Sequence, residues 1–347
     1  MRAAKHPLFC LAENRREGEA AIRFALASLQ RRCPGAAVLL FLSDPSPEIE
    51  HWLERFPTVQ LRRETWPEEQ GWNCKAAVLL AALETGVDEA VWLDGDLIVS
   101  GDLRAWLSTL EDDVLGAAQE VLVASRQGTL WRTRAWGLLP GREIGCTVNT
   151  CVIRVTARHR DFLRRWQALL TRPDYRGWQC RPIFDRPFHM VGDQDAFNAL
   201  LGTAETAGLR LQLLKSGRDI VHNGTTHCFG FRERLARLGR RKALLIHAMD
   251  RKPWRIPFCS KPDLGFWLFN ILDVEVSAYV AHARSLRAEV GGTYPWLERR
   301  SWSARAMVAL GLGHDALRGL PYALGCDLAR RGGFNRVAER LGLKSRL

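Results

Sequence analysis

The residues with the clearest chemical potential are Asp94 and Asp96, one glycine apart in Ala90-Val91-Trp92-Leu93-Asp94-Gly95-Asp96-Leu97-Ile98-Val99. Apolar residues run up to them on both sides. Two carboxylates this close at the tip of a buried strand repel each other unless a cation lies between them. Oxygen donors of this kind suit Mg²⁺ or Mn²⁺, ions that keep positions open for substrate phosphates. A plain turn, in which Asp94-Gly95 only ends the strand, is the competing account. Other polar residues could act beside them. Glu13 and Asn14, in the loop Ala12-Glu13-Asn14, are candidate polar contacts to a ligand, and a turn into the next helix explains them nearly as well. Asn149 could bond a ligand or simply end a strand. Asp193 and Asp195 flank Gln194. Either carboxylate could be a general base toward an acceptor hydroxyl, or Asp193 could be an ordinary helix N-cap. His247 reads equally as a metal ligand and as a buried structural histidine. Lys252 could set a point charge on phosphates or be a solvated surface lysine.

Such residues act together only if the fold gathers them. Strand patterns cover 7–12, 37–42, 59–61 and 89–93, with helical patterns over 19–31, from Ser43-Asp44-Pro45 through Arg55, and over 74–84, which Gly86 closes. This alternation predicts right-handed crossovers and an α/β fold, a doubly wound, mainly parallel sheet. Ligands of such sheets sit at the carboxyl ends of the strands. Both the 12–14 loop and Asp94-Gly95-Asp96 fall on that edge, which favours the cation-binding account of the two aspartates. Residues 193–201 read as a helix, and 209–215 and 242–247 as strands. From Phe266 onward the pattern is helical and arginine-rich. The expected organisation is one α/β domain over 1–265 and a basic helical C-terminal extension over 266–347.

The segment from Trp92 to Leu103 resembles the DxD segment of nucleotide-diphosphosugar transferases. It is most similar to family 8 glycosyltransferases, which include glycogenin and bacterial lipopolysaccharide galactosyltransferases. Four further blocks fall in that family's order. Phe9 to Asn14 with the helix ending Ala27-Ser28-Leu29 resembles the uridine-binding strand and helix. Val148-Asn149-Thr150-Cys151-Val152-Ile153 resembles a strand usually reading Asn-Ser-Gly or Asn-Ala-Gly. Gly192-Asp193-Gln194-Asp195-Ala196-Phe197-Asn198 resembles the Asp-Gln block, and Ile246-His247 with Lys252-Pro253-Trp254 the His…Lys-Pro-Trp motif. The resemblance implies a GT-A fold and metal-dependent transfer from a nucleotide sugar, a UDP-sugar above all. The acceptor would be a glycan or lipid-linked glycan of a surface polysaccharide, and anomeric configuration would be retained. Asp94, Asp96 and His247 would hold the metal, the imidazole favouring Mn²⁺ over Mg²⁺. Ala12, Glu13, Asn14, Lys75, Asp94, Gly95, Asn149 and Lys252 would surround the donor. Asp193, Gln194 and Asp195 would lie beside the acceptor and the anomeric carbon.

The whole composition is that of a globular protein and excludes disordered, collagen-like and coiled-coil classes. In 347 residues, 50 Lys and Arg face 38 Asp and Glu, a net charge of +12 that favours an anionic partner. No zinc-finger spacing, RNP-type strand or basic helix-turn-helix supports nucleic acid as that partner. The charge is also uneven, because residues 280–347 alone hold 12 basic and 5 acidic residues. There Trp296, Trp302, Met307, Val308, Leu310 and Leu312 mix with Arg299, Arg300 and Arg305. That pattern suits peripheral contact with an anionic membrane, or a helical cap on the catalytic domain. The 9 cysteines are scattered, with no CxxC pair, and read as reduced packed thiols. A short apolar run behind a basic N-terminus, and no bilayer-length apolar stretch, lead to an expected cytoplasmic location, with the inner membrane face as a peripheral site. A non-catalytic nucleotide-sugar-binding protein is the alternative function, and a basic nucleic-acid-binding protein the less favoured one.

Overall fold

The computed structural model describes residues 7–63, 71–121, 128–223, 229–238, 243–249, 252–256, 267–298, 301–310, 314 and 317–331. The expected boundary between 265 and 266 lies outside the described residues, as do Arg299, Arg300 and Leu312. The chain divides into two compact units, Met1–Leu97 with Asp102–Lys215, and Ile98–Gly101 with Ser216–Leu347.

The first unit opens with the predicted alternation: β1 (Leu8–Glu13), α1 (Glu19–Arg32), β2 (Val38–Leu42), α2 (Pro47–Leu53), β3 (Val59–Arg62), α3 (Lys75–Glu84) and β4 (Glu89–Leu93). Helix α1 turns Ala21, Ile22, Ala25, Leu26 and Leu29 inward. The Ser46 hydroxyl caps α2 by accepting the Ile49 N–H at 3.2 Å, with Pro47 preset at the first helical position. Ser46 in turn donates its N–H and O–H to the Glu19 carboxylate, tying α2 to α1. Gly86, at φ +89°, supplies the left-handed turn that ends α3.

β5 (Leu97–Val99) carries the chain out of this unit. On its return the chain forms α4 (Leu103–Leu107), β6 (Val114–Gln119), α5 (Leu130–Ala135), β7 (Val148–Thr156), α6 (Arg160–Leu170), α7 (Pro173–Gln179), α8 (Asp193–Leu201) and β8 (Arg210–Leu214). The seven strands lie in the order β3-β2-β1-β4-β7-β6-β8. All neighbours are parallel except β7, which runs antiparallel to β4 and β6. The beginning of β7 therefore lies at the carboxyl edge of β4. Its pairing with β6 jumps there, from Ala117 opposite Ile153 to Ala118 opposite Asn149. The bulge removes Thr150, Cys151 and Val152 from the β6 ladder, while Val152 still pairs Leu93 of β4. Deeper in the sheet, the fully buried Arg154 of β7 meets Glu89 of β4 and donates to the carbonyls of Glu111 and Val114.

The second unit is built on a three-stranded sheet in the order β5-β10-β9, with β9 (Ile220–Asn223), α9 (Phe231–Arg237) and β10 (Leu245–Ala248). β9 and β10 are parallel, and their register sets His222 opposite His247. Helices over Ala278–Ser285, Trp302–Leu310 and Leu320–Arg331 follow. Leu272, Val276, Ala304 and Tyr322 join the last two helices in one apolar cluster, and the first helix buries Ala278, Tyr279, Val280 and Ala283, so these helices are packed elements of the unit rather than a free arm. No helix of the described residues is long and apolar enough to cross a membrane.

Candidate active site

Asp94 leaves β4 with its N–H donated to the Cys151 carbonyl at 2.8 Å. Its Oδ1 accepts Trp92 Nε1 at 2.6 Å and faces Lys75 Nζ at 3.0 Å. Among the described residues its Oδ2 takes no hydrogen bond, so that side of the carboxylate is available to a cation. Gly95 fits where a Cβ would fall 2.7 Å from Ile22 Cδ1 of α1. Beyond it, Asp96 lies within electrostatic reach of Arg15: hydrogen bonding to Glu13 chiefly, with the charges of Glu17 and Asp96 besides, raises the Arg15 pKa.

Lys75 sits at the first position of α3 and is 4% exposed. A cation there opposes the helix dipole. Its acceptors explain its presence: Asp94 Oδ1, Asp193 Oδ2 at 3.2 Å, and the carbonyl and hydroxyl of Thr150 at 3.2 and 3.1 Å. Burial disfavours the ammonium, but the charges of Asp193 and Asp94 outweigh it, and the Lys75 pKa is raised. Asp193 is also raised, by burial first; Lys75 opposes that shift and Asp94 adds to it. The Thr150 hydroxyl donates to Asp193 Oδ2 at 2.8 Å and completes the cluster. Asp193 is thus a partner of Lys75, and the N-cap position of α8 belongs to Gly192.

The other residues of the Asp-Gln block are equally committed. Asp195 caps α8, its Oδ2 accepting the N–H groups of Val191 and Gly192 at 3.1 and 3.2 Å. Its Oδ1 accepts Arg132 Nε at 2.9 Å, and Arg132 also donates to the Thr147 hydroxyl. Burial raises the Asp195 pKa against the opposing charge of Arg132. Gln194 Nε2 donates to Glu120 Oε2 at 2.9 Å, and Asn149 Nδ2 donates to the same oxygen at 2.7 Å. The first strand ends in Ala12 and Glu13, with Asn14 exposed behind them. The Glu13 carboxylate grips the Arg15 guanidinium at 2.7 and 2.9 Å and accepts two backbone N–H groups, which shapes this loop.

His247 and Lys252 belong to the second unit. The buried rings of His222 and His247 meet Nδ1 to Nδ1 at 3.1 Å, so one nitrogen donates and the other accepts. Lys252 Nζ donates to the Ala248 carbonyl at 2.7 Å. The sequence reading did not single out Arg15, Glu120, Arg132, Thr150 as a ligand of Lys75, or His222. Thr150 adjoins Asn149 and was within reach of that reading; the others are defined by strand direction and register, which no local pattern carries.

No family model matches the sequence, and no curated protein is detectably similar to it. Many solved structures share its fold. The bifunctional glycosyltransferase WbbM is 14% identical over 86% of this chain and 51% of its own, with a TM-score of 0.52. This chain therefore spans about half the length of WbbM. The galactosyltransferase LgtC, solved with donor and acceptor sugar analogues, is 15% identical over 86% of this chain and 99% of its own, with a TM-score of 0.47. Mouse xyloside xylosyltransferase 1 is 15% identical over 71% and 98%, with a TM-score of 0.44. The chain has the GT-A fold of glycosyltransferases, as its resemblance to family 8 predicts.

Proposed function

We propose that the protein transfers a sugar from a nucleotide-sugar donor, a UDP-sugar, to a glycan or lipid-linked acceptor with retention of anomeric configuration. The observation that carries this reading is the Asp94-Gly95-Asp96 turn at the carboxyl edge of β4 on a GT-A fold, with Lys75 pairing both Asp94 and Asp193. Asp94, Asp96 and His247 would hold the divalent ion. Carboxylate oxygens with one imidazole suit Mn²⁺, and Mg²⁺ next. When bound, the ion neutralises the charge that develops on the departing diphosphate. Lys75 would keep Asp94 oriented, and Lys252 would add positive charge toward the phosphates. Ala12, Glu13, Asn14 and Gly95 would border the nucleotide, and Asn149 the sugar. Retention fits the state of Asp193 and Asp195, since both are locked in ion pairs and neither is a freestanding base for an inverting reaction.

A hydrolysis screen of nucleotide sugars with and without Mn²⁺ tests this reading, with Asp96→Asn as the control. We expect Mn²⁺-dependent turnover of a UDP-sugar that Asp96→Asn abolishes. Full activity in Asp96→Asn, or no turnover of any nucleotide sugar, overturns it; metal-dependent donor binding without turnover would instead establish a non-catalytic binding protein.

The second unit adds a membrane reading to this function. Trp302 is 76% exposed and Leu310 69% exposed on the helix Trp302–Leu310, within residues 280–347, which hold 12 basic and 5 acidic residues. We propose that this helix lies against anionic lipid, where a lipid-linked acceptor would be held.

A further inference from the structure

Glu120 is a buried carboxylate, 5% exposed, one residue past β6. Among the described residues, the Val121 N–H and two side-chain amides converge on it. The Val121 N–H bonds Oε1 at 2.9 Å, and the side-chain amides of Asn149 and Gln194 both bond Oε2. A carboxylate only accepts, so both amide nitrogens must face it and both amide oxygens must turn away. The Asn149 oxygen is then used within the protein, accepting the Cys151 N–H at 2.9 Å. The Gln194 oxygen is not: among the described residues Oε1 has no hydrogen-bond partner. Gln194 is partly exposed in the first turn of α8, between the ion-paired Asp193 and Asp195.

We propose that Glu120 is a positioning residue that locks the Gln194 amide so that its Oε1 is presented to a hydroxyl of the bound sugar. This rests on the glycosyl-transfer reading above and adds to it the residue that sets donor–acceptor sense at Gln194. A free glutamine amide flips at little cost and offers a hydroxyl the wrong group half the time. Glu120 removes that choice. It must be a carboxylate to do so, because an amide at 120 has one accepting oxygen and the donors approach both. With glutamine there, either the Val121 N–H or the Asn149 and Gln194 amides would face an NH₂ group. A buried charge is costly to desolvate, and a merely structural bridge between β6 and β7 would not need one aimed at a half-buried glutamine. A site built to accept from a hydroxyl also discriminates against a sugar that lacks it.

The test is a double-mutant cycle on the full chain with Glu120→Gln, Gln194→Ala and the pair together. Each single change should lower kcat about 10–100-fold while donor KM stays within about threefold, and the pair should be no slower than Gln194→Ala alone. Multiplying losses, or an unchanged kcat in Glu120→Gln, overturn the proposal. A second readout needs no turnover: the Gln194 side-chain NH₂ signals, assigned by their loss in Gln194→Ala, should exchange slowly in the wild type and fast in Glu120→Gln. Equal exchange in both overturns the proposal even if no nucleotide sugar is a substrate. Slow exchange in a protein inert to every nucleotide sugar retains the lock and rejects the function.

Discussion

A lysine buried at the first position of a helix is disfavoured twice, by desolvation and by the helix dipole. Lys75 is held there by Asp94 and Asp193, which raise its pKa against both effects. Its neighbour Cys74 is pushed up to about 12 by burial. Both shifts have the same sign for stability. A thiol that stays protonated in the fold stabilises it fully below the ordinary cysteine value of 9.0, and that stability is lost as pH rises toward 12. The whole span is worth about 4 kcal/mol for Cys74. We expect the urea midpoint to fall steadily above pH 9, and less steeply in Cys74→Ala; identical slopes would discard the effect. At this scale the sequence was informative where type and spacing coincide, as in Asp94-Gly95-Asp96. It was silent on Glu120, an unremarkable glutamate until two amides are seen to converge on it.

At the scale of elements, β7 decides what the site contains. Because it runs against β4, its first residues, not its last, reach the edge where Asp94 emerges. The bulge then frees the Thr150 carbonyl and hydroxyl for Lys75. The strands and helices themselves were legible, since alternating apolar runs and amphipathic faces are local signals. Strand direction and the bulge depend on pairing between residues far apart in the chain and leave no such mark. The same holds for α8, whose span was legible while its N-cap proved to be Gly192, with the side chain of Asp195 and not Asp193 reaching back to it. The β4–β7 pairing also contains the buried Glu89–Arg154 pair. Glu89→Ala leaves a buried guanidinium without its carboxylate and should cost about 3–5 kcal/mol in urea unfolding, with the m-value unchanged. A loss below about 1 kcal/mol would mean that the carbonyls of Glu111 and Val114 satisfy Arg154 by themselves.

For the whole molecule, the net charge of +12 falls within the second unit, where residues 216–347 hold 23 basic and 11 acidic residues. If the helix bearing Trp302 docks on lipid, Trp302→Ser should reduce co-sedimentation with phosphatidylglycerol vesicles and leave thermal stability unchanged, because the indole is mostly exposed. Equal sedimentation of the two proteins would reject docking by this helix. The division into two units was not legible as such: it rests on residues 98–101 leaving one unit to serve the other, and four residues carry no compositional signature. That excursion has a consequence for biosynthesis. β5 leaves the ribosome roughly 150 residues before its neighbour β10, about 7–30 s at ordinary elongation rates. For that interval its apolar residues Leu97, Ile98 and Val99 are made but unpaired. Meanwhile every strand of the larger sheet, through β8, has been synthesised. The order of synthesis thus lets the larger sheet close first and keeps a ready strand waiting, on which the second sheet can form only when translation is well past its midpoint.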